Sequence, residues 1–184
     1  MSCASEYSAK TIKFKNIKKP LDELWDQDFQ SEEEAFWIFT MMMESMIPID
    51  YYSNLSGVLI DQNIFHNLMR ERLPDLCQHF ESIGLDLSFL AINWITCLLC
   101  MGLPQDVSDR IWDLFFLRGH KVIFSFLLAI MQSMKAELMR MQNFDEAMQF
   151  ISESPRDLVN MKVLIQLAEQ DRFKITNKQL SELR

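Results

Sequence analysis

The chain has 184 residues, 49% hydrophobic and 24% charged, enough apolar bulk for one domain with a real core and too much for a disordered polymer. Its formal net charge of −8 repels phosphate backbones, which excludes a large nucleic-acid footprint. Only 4 Gly and 5 Pro stand against 13 Met and 14 Phe, a balance that points to helices with short connections around a soft, adaptable core.

Residues 1–30 show no sustained period and read as a charged, partly disordered arm. Lys10, Lys13, Lys15, Lys18 and Lys19 crowd its start, and Asp22, Glu23, Asp26 and Asp28 follow. Both runs suit solvation, and the sharper reading of the lysines is a weak peripheral contact with a membrane or a partner. The opening "MSCASEYSAKTIKFK" has no secretory apolar run. A cytoplasmic setting with reduced thiols is therefore expected.

A single helical domain is expected over 31–184. "SEEEAFWIFTMMMESM" opens it, with Ser31 as N-cap and Glu34 completing a capping box, and Pro48 stopping the helix. "YYSNLSG" is a loop. In "VLIDQNIFHNLMRER" the residues Ile60, Ile64, Phe65 and Leu68 are expected to face the core, with Leu59, Asn63, His66 and Arg70 on the other stripe. "PDLCQHFESIG" is a short helix ended by Gly84. Asp86 caps "LSFLAINWITCLLCM", which is apolar nearly all round and is assigned to the centre of the bundle. Gly102 ends it. Pro104 takes the first position of "PQDVSDRIWDLFFLR", Gly119 ends that helix, and "KVIFSFLLAIMQSMKAELMRM" is another long one. Asn143 or Asp145 caps a short helix through Ile151, Pro155 starts the next, and "TNKQLSELR" adds a last turn. The period is helical throughout, so the fold class is all-α, an irregular bundle of about eight helices.

The apolar runs Leu87–Leu103 and Val122–Met131 fall short of the ~20 residues of a membrane span and read as core helices. No phosphate-cradling glycine loop, H-E-x-x-H or G-x-S-x-G occurs. His66, His79 and His120 are scattered. Cys97 and Cys100 lie one turn apart in an apolar run without two further ligands, so they read as buried helix thiols, with no metal expected. Asp106, Asp109, Arg110 and Asp113 recur on a helical period. They could stand as paired carboxylates, but a solvated face with local ion pairs is the better reading.

Read together, four stretches carry more. "LPQDVSDRIWDLFFLRG" holds Leu103, Pro104, Arg110, Ile111, Trp112, Asp113 and Gly119. Before it come "EEEAFWIFTMMME" with Trp37, then "YYSNLSGVLIDQNIFHNLMRERLPDL" with Tyr52, Asp61, Gln62, Leu73 and Pro74, and "FLAINWITCLLC" with Trp94. In this order and spacing they resemble the later part of the TBC domain, the helical module of Rab GTPase-activating proteins. The resemblance covers about Ser31 to Asn143. It implies a Rab-type small GTPase as partner, and a cytoplasmic setting, peripheral on the endomembranes of vesicle traffic. Those signature residues are expected to be architectural, with Trp112 burying its ring and Arg110 and Asp113 setting helix register.

The resemblance also implies a two-finger chemistry. An arginine of I-x-x-D-x-x-R stabilises the transferring phosphate, and a glutamine of Y-x-Q orients the attacking water. Both lie upstream of the "EEEAFW" helix, and the 31 residues preceding Glu32 hold neither motif. Gln27 and Gln30 lack the Y-x-Q-G context. No catalytic residue, metal or cofactor is therefore assigned, and no intrinsic catalysis is expected. The alternative is a non-catalytic helical interaction module, a pseudo-GAP or scaffold, that binds a GTPase or another protein.

Overall fold

The computed structural model describes residues 32–48, 51–100, 102–153 and 160–184. The expected arm at 1–30, the Ser31 cap and the Pro155 helix start lie outside them. The chain divides into two units, Met1–Thr40 and Met41–Arg184. In the first, helix α1 (Glu32–Met41) begins, and the rings of Phe36 and Trp37 meet edge to face at 5.4 Å.

In the second unit, a π-helical turn spans Met42–Met46 and closes with Ile47 N–H donating to Met42 O at 3.2 Å. Eight helices follow: α2 (Ser56–Arg72), α3 (Pro74–Ser82), α4 (Leu87–Thr96), α5 (Gln105–Arg118), α6 (Lys121–Leu138), α7 (Phe144–Glu153), α8 (Met161–Ala168) and α9 (Asn177–Leu183). With α1 that makes nine α-helices and no strand among the described residues. The expectation of an all-α bundle of about eight helices holds.

Local chemistry sets several boundaries. Asp86 accepts from Ser88 N–H at 2.8 Å and caps α4, and Asn143, not Asp145, accepts from Glu146 N–H at 2.9 Å ahead of α7. Thr176 and Gln179 form a reciprocal capping box at α9. Gly119 ends α5 at φ 82°, a conformation that costs a side-chain-bearing residue dearly. Pro104 stands one place earlier than expected, as the N-cap residue rather than the first helical one.

The centre of the bundle is α6, not the helix that begins at Leu87. Every residue from Val122 to Met131 is buried, with Met134 and Leu138 beyond. Helix α6 packs against α8, α5 and α2, and α2 packs against α4 and α3. By contrast Ile92 of α4 is 40% exposed, and α4 stops at Thr96. Beyond it Leu98 and Leu99 take left-handed φ values of 47° and 62°, at about 1–2 kcal/mol each for residues with a Cβ. Burial of both side chains, at 2% and 0% exposure, holds the turn. Cys97 is half-buried and Cys100 exposed in this turn, so they are not the buried helix thiols expected. On α2, Ile64, Phe65 and Leu68 are buried, but Ile60 is 42% exposed. The buried stripe runs Val58, Asp61, Phe65, Leu68 instead.

Gly57 permits a close approach. A Cβ there would lie 2.8 Å from Tyr51 Cα, a backbone atom that cannot swing away. Gly57→Ala should therefore destabilise the unit by about 1–3 kcal/mol through overpacking, although alanine is the better helix former by roughly 1 kcal/mol. A urea titration measures the sign, and a stabilised variant would show that the loop at Tyr51 yields.

Candidate functional site

The signature residues gather around α4. Gln62 Nε2 donates to Ser88 O at 2.7 Å and ties α2 to the start of α4. At the far end the Tyr51 hydroxyl donates to Ile95 O at 3.0 Å and the Tyr52 hydroxyl to Thr96 O at 2.8 Å. From α5, Trp112 Nε1 donates to Leu98 O at 3.0 Å and Ser108 Oγ to Leu99 O at 3.1 Å. Helix ends leave carbonyls short of partners, and four side chains from two other segments donate to those at the end of α4 and in the turn beyond it. The left-handed turn is thus clamped from both sides.

Other signature positions do simpler work. Leu73 and Trp94 are buried, and Leu103 is 7% exposed. Pro74 opens α3, where its missing N–H costs nothing. Trp37 is 47% exposed. Trp112 is half-buried rather than enclosed; its ring lies 6.0 Å from that of Phe115 and 5.7 Å from that of Phe116. Asp113 is buried, and Arg110 Nη1 stands 3.6 Å from its Oδ2 one turn away, an ion pair longer than a hydrogen bond. Asp109 accepts from Gln105 Nε2 at 2.7 Å, while Asp106 is exposed.

A second constellation has Asp61 of α2 at its centre, 0% exposed. Arg184 Nη2 donates to its Oδ1 at 3.0 Å and lies 3.4 Å from Oδ2. The same guanidinium nitrogen is 2.6 Å from His120 Nδ1. His120 Nε2 lies 3.0 Å from Asp61 Oδ2, close enough for attraction but too poorly aligned for a hydrogen bond. Burial, aided by Arg184, pushes the imidazole down to about 3, so it is neutral. A neutral ring offers its Nδ1 lone pair to the guanidinium and carries its proton on Nε2. Burial pushes the Asp61 carboxyl up to about 6, and Arg184 opposes that rise. Desolvation and the Asp61 charge also hold the Tyr51 hydroxyl protonated well above its usual range.

An aspartate beside a histidine invites an acid–base reading. Here Asp61 has no exposed surface, His120 is 6% exposed, and the neighbouring Tyr51 hydroxyl is committed to a helix carbonyl. No substrate reaches the group, and the arrangement anchors elements instead. The sequence reading found Asp61 but not its partners. A signal was present, an acid on the buried stripe of α2, yet Arg184 lies 123 positions away.

Comparisons with known proteins agree on one family. The sequence model described as Rab-GTPase-TBC domain matches residues 27–139. TBC1 domain family member 2A of Homo sapiens is 33% identical over 156 residues, which are 84% of this chain and 17% of that protein. TBC1 domain family member 2B of Xenopus tropicalis is 31% identical over 144 residues, 78% of this chain and 15% of that protein. The chain thus spans about a sixth of the length of these relatives. Among solved structures, the crystal structure of the Chlamydomonas flagellar RabGAP TBC domain aligns with a TM-score of 0.70 at 27% identity, over 78% of this chain and 48% of that one.

Proposed function

The chain belongs to the Rab-GTPase-TBC domain family, and from that premise we propose that it regulates Rab-type small GTPases by binding them, without hydrolytic help of its own. The carrying observation is that the family match spans residues 27–139 while the 184 residues hold neither I-x-x-D-x-x-R nor Y-x-Q. The chain then corresponds to the later part of the family domain, about 31–184, and its signature residues hold helices in place. The clamp on α4 supports that architectural role, because each of its hydrogen bonds is internal.

No described helix is long and apolar enough to cross a membrane. The site of action proposed is the cytoplasmic surface of endomembranes, reached peripherally. A scaffold role toward another protein is the second reading. Leu55, Leu59 and Ile60, each 42% exposed or more, favour it by offering apolar surface for contact.

Single-turnover GTP hydrolysis by a Rab panel, with and without the chain, tests the catalytic half. An arginine finger is worth roughly 10³–10⁵ in rate, so stimulation should be no more than marginal, and a gain of order 10³ on any member would overturn it. Calorimetric titration of the same panel loaded with a non-hydrolysable GTP analogue tests the binding half. Saturable binding to at least one member is expected; its absence across the panel leaves the scaffold reading.

A further inference from the structure

A cavity of about 260 Å³ lies between the end of α5, the first turns of α6, α8 and residues 174–176. Half of its twelve lining residues are apolar, Leu114, Phe126, Ile165 and Ile175 among them. Its charged lining is lopsided: Arg118, Lys121 and Lys174 against the one carboxylate of Glu169. That carboxylate is shared. Arg118 hydrogen-bonds it, and Lys174 Nζ stands 3.8 Å away. The Arg118 hydrogen bond holds Glu169 below the usual carboxylate range. Among the described residues Lys121 has no carboxylate within 4.0 Å. It also opens α6, an 18-residue helix whose amino end adds positive field.

A local excess of two positive charges is unusual in a chain of net charge −8. An apolar lining beside one cation without a carboxylate partner suits a ligand with one apolar and one anionic end. At the ~30 Å³ that a water takes in the liquid, the volume holds about nine water-sized groups. That is a chain of about eight carbons with its head group at the rim. We propose that this cavity binds an acidic amphiphile, an aliphatic chain of about eight carbons ending in a carboxylate or phosphate, with Lys121 as its counter-charge. Nothing in this depends on the GTPase reading.

Calorimetric titration of the full chain with octanoate and with octyl phosphate tests it, with octanol, acetate and inorganic phosphate beside them. The two acidic amphiphiles should bind saturably, one per chain, and at least ten-fold tighter than octanol. Acetate and inorganic phosphate should bind at least ten-fold more weakly. Lys121→Gln, at a half-exposed position, should keep the parent's circular dichroism and thermal melt while weakening octanoate at least five-fold. Octanol matching octanoate, or Lys121→Gln binding as the parent does, would remove the charge from the account. Acetate or phosphate matching the amphiphiles would remove the apolar walls, and no saturable binding would overturn the site.

Discussion

Arg184→Ala should destabilise the Met41–Arg184 unit by about 3 kcal/mol at neutral pH, because it strands the Asp61 carboxylate in the core. Asp61 is 0% exposed, and Arg184 is the cation within hydrogen-bonding reach of it, at 3.0 Å. Loss of one partner of a buried pair costs about 3–5 kcal/mol; the Arg184 side chain is 30% exposed, so the lower end applies. Adding Asp61→Asn should recover at least half the loss, since a neutral amide needs no counter-charge. Urea titrations of the parent, the single and the double variant measure this, and a single-variant deficit below about 1 kcal/mol would show the pair to be weakly coupled.

The deficit should also depend on pH, with a definite sign. The Asp61 pKa is raised by burial to about 6 in the folded chain, against about 3.9 unfolded. Between those values the folded state holds a proton that the unfolded state has released, so this group's contribution falls as pH rises. Removing Arg184 extends that window upward, because the guanidinium opposes the rise. His120 works the other way. Its folded pKa is lowered to about 3, so its contribution is full above about 6.5 and is lost as pH falls. Without Arg184 the ring protonates more readily beside Asp61, which eases that loss. Both effects shrink the variant's deficit at pH 5 relative to pH 8. A deficit that grows toward pH 5 contradicts the assignment of charges.

Trp112→Ala should cost about 3 kcal/mol, a little below what a fully enclosed indole would. Two losses combine. The ring leaves its contacts with Phe115 and Phe116, and the Leu98 carbonyl loses its donor at 3.0 Å. The second matters because Leu98 sits in a left-handed turn at φ 47° that the clamp helps to hold. Trp112→Phe keeps most of the ring and should cost about 1 kcal/mol, the loss of one partly buried hydrogen bond. Asp106→Asn, on the exposed side of α5, should change stability by less than about 0.5 kcal/mol. At roughly 2–4 °C per kcal/mol for a chain of this size, thermal melts separate the three. A Trp112→Ala protein melting within a degree or two of the parent would place the indole at a contact surface instead of in the clamp.

Much of the helical pattern was legible because its signals act within one turn. Asp86 and Asn143 cap through their own side chains, Gly119 stops α5 through its own backbone, and the apolar run Val122–Met131 is buried throughout. The family was legible for a similar reason, since four stretches keep a fixed order in a sequence model that spans residues 27–139. Which helix stands at the centre was not. Leu87–Met101 and Lys121–Leu138 look alike as apolar runs, and only packing by α8, α5 and α2 makes α6 the core. The early end of α4 was hidden too, because left-handed leucines are costly alone and persist here through burial and the donors of Ser108 and Trp112. The Asp61–His120–Arg184 group is the furthest case. A carboxylate on a buried stripe is visible in one dimension, but its compensating cation is 123 positions away and reaches it through the folded chain. Burial and long-range pairing are properties of the packed unit, and hydrophobic period and cap chemistry describe only the turn in which they occur.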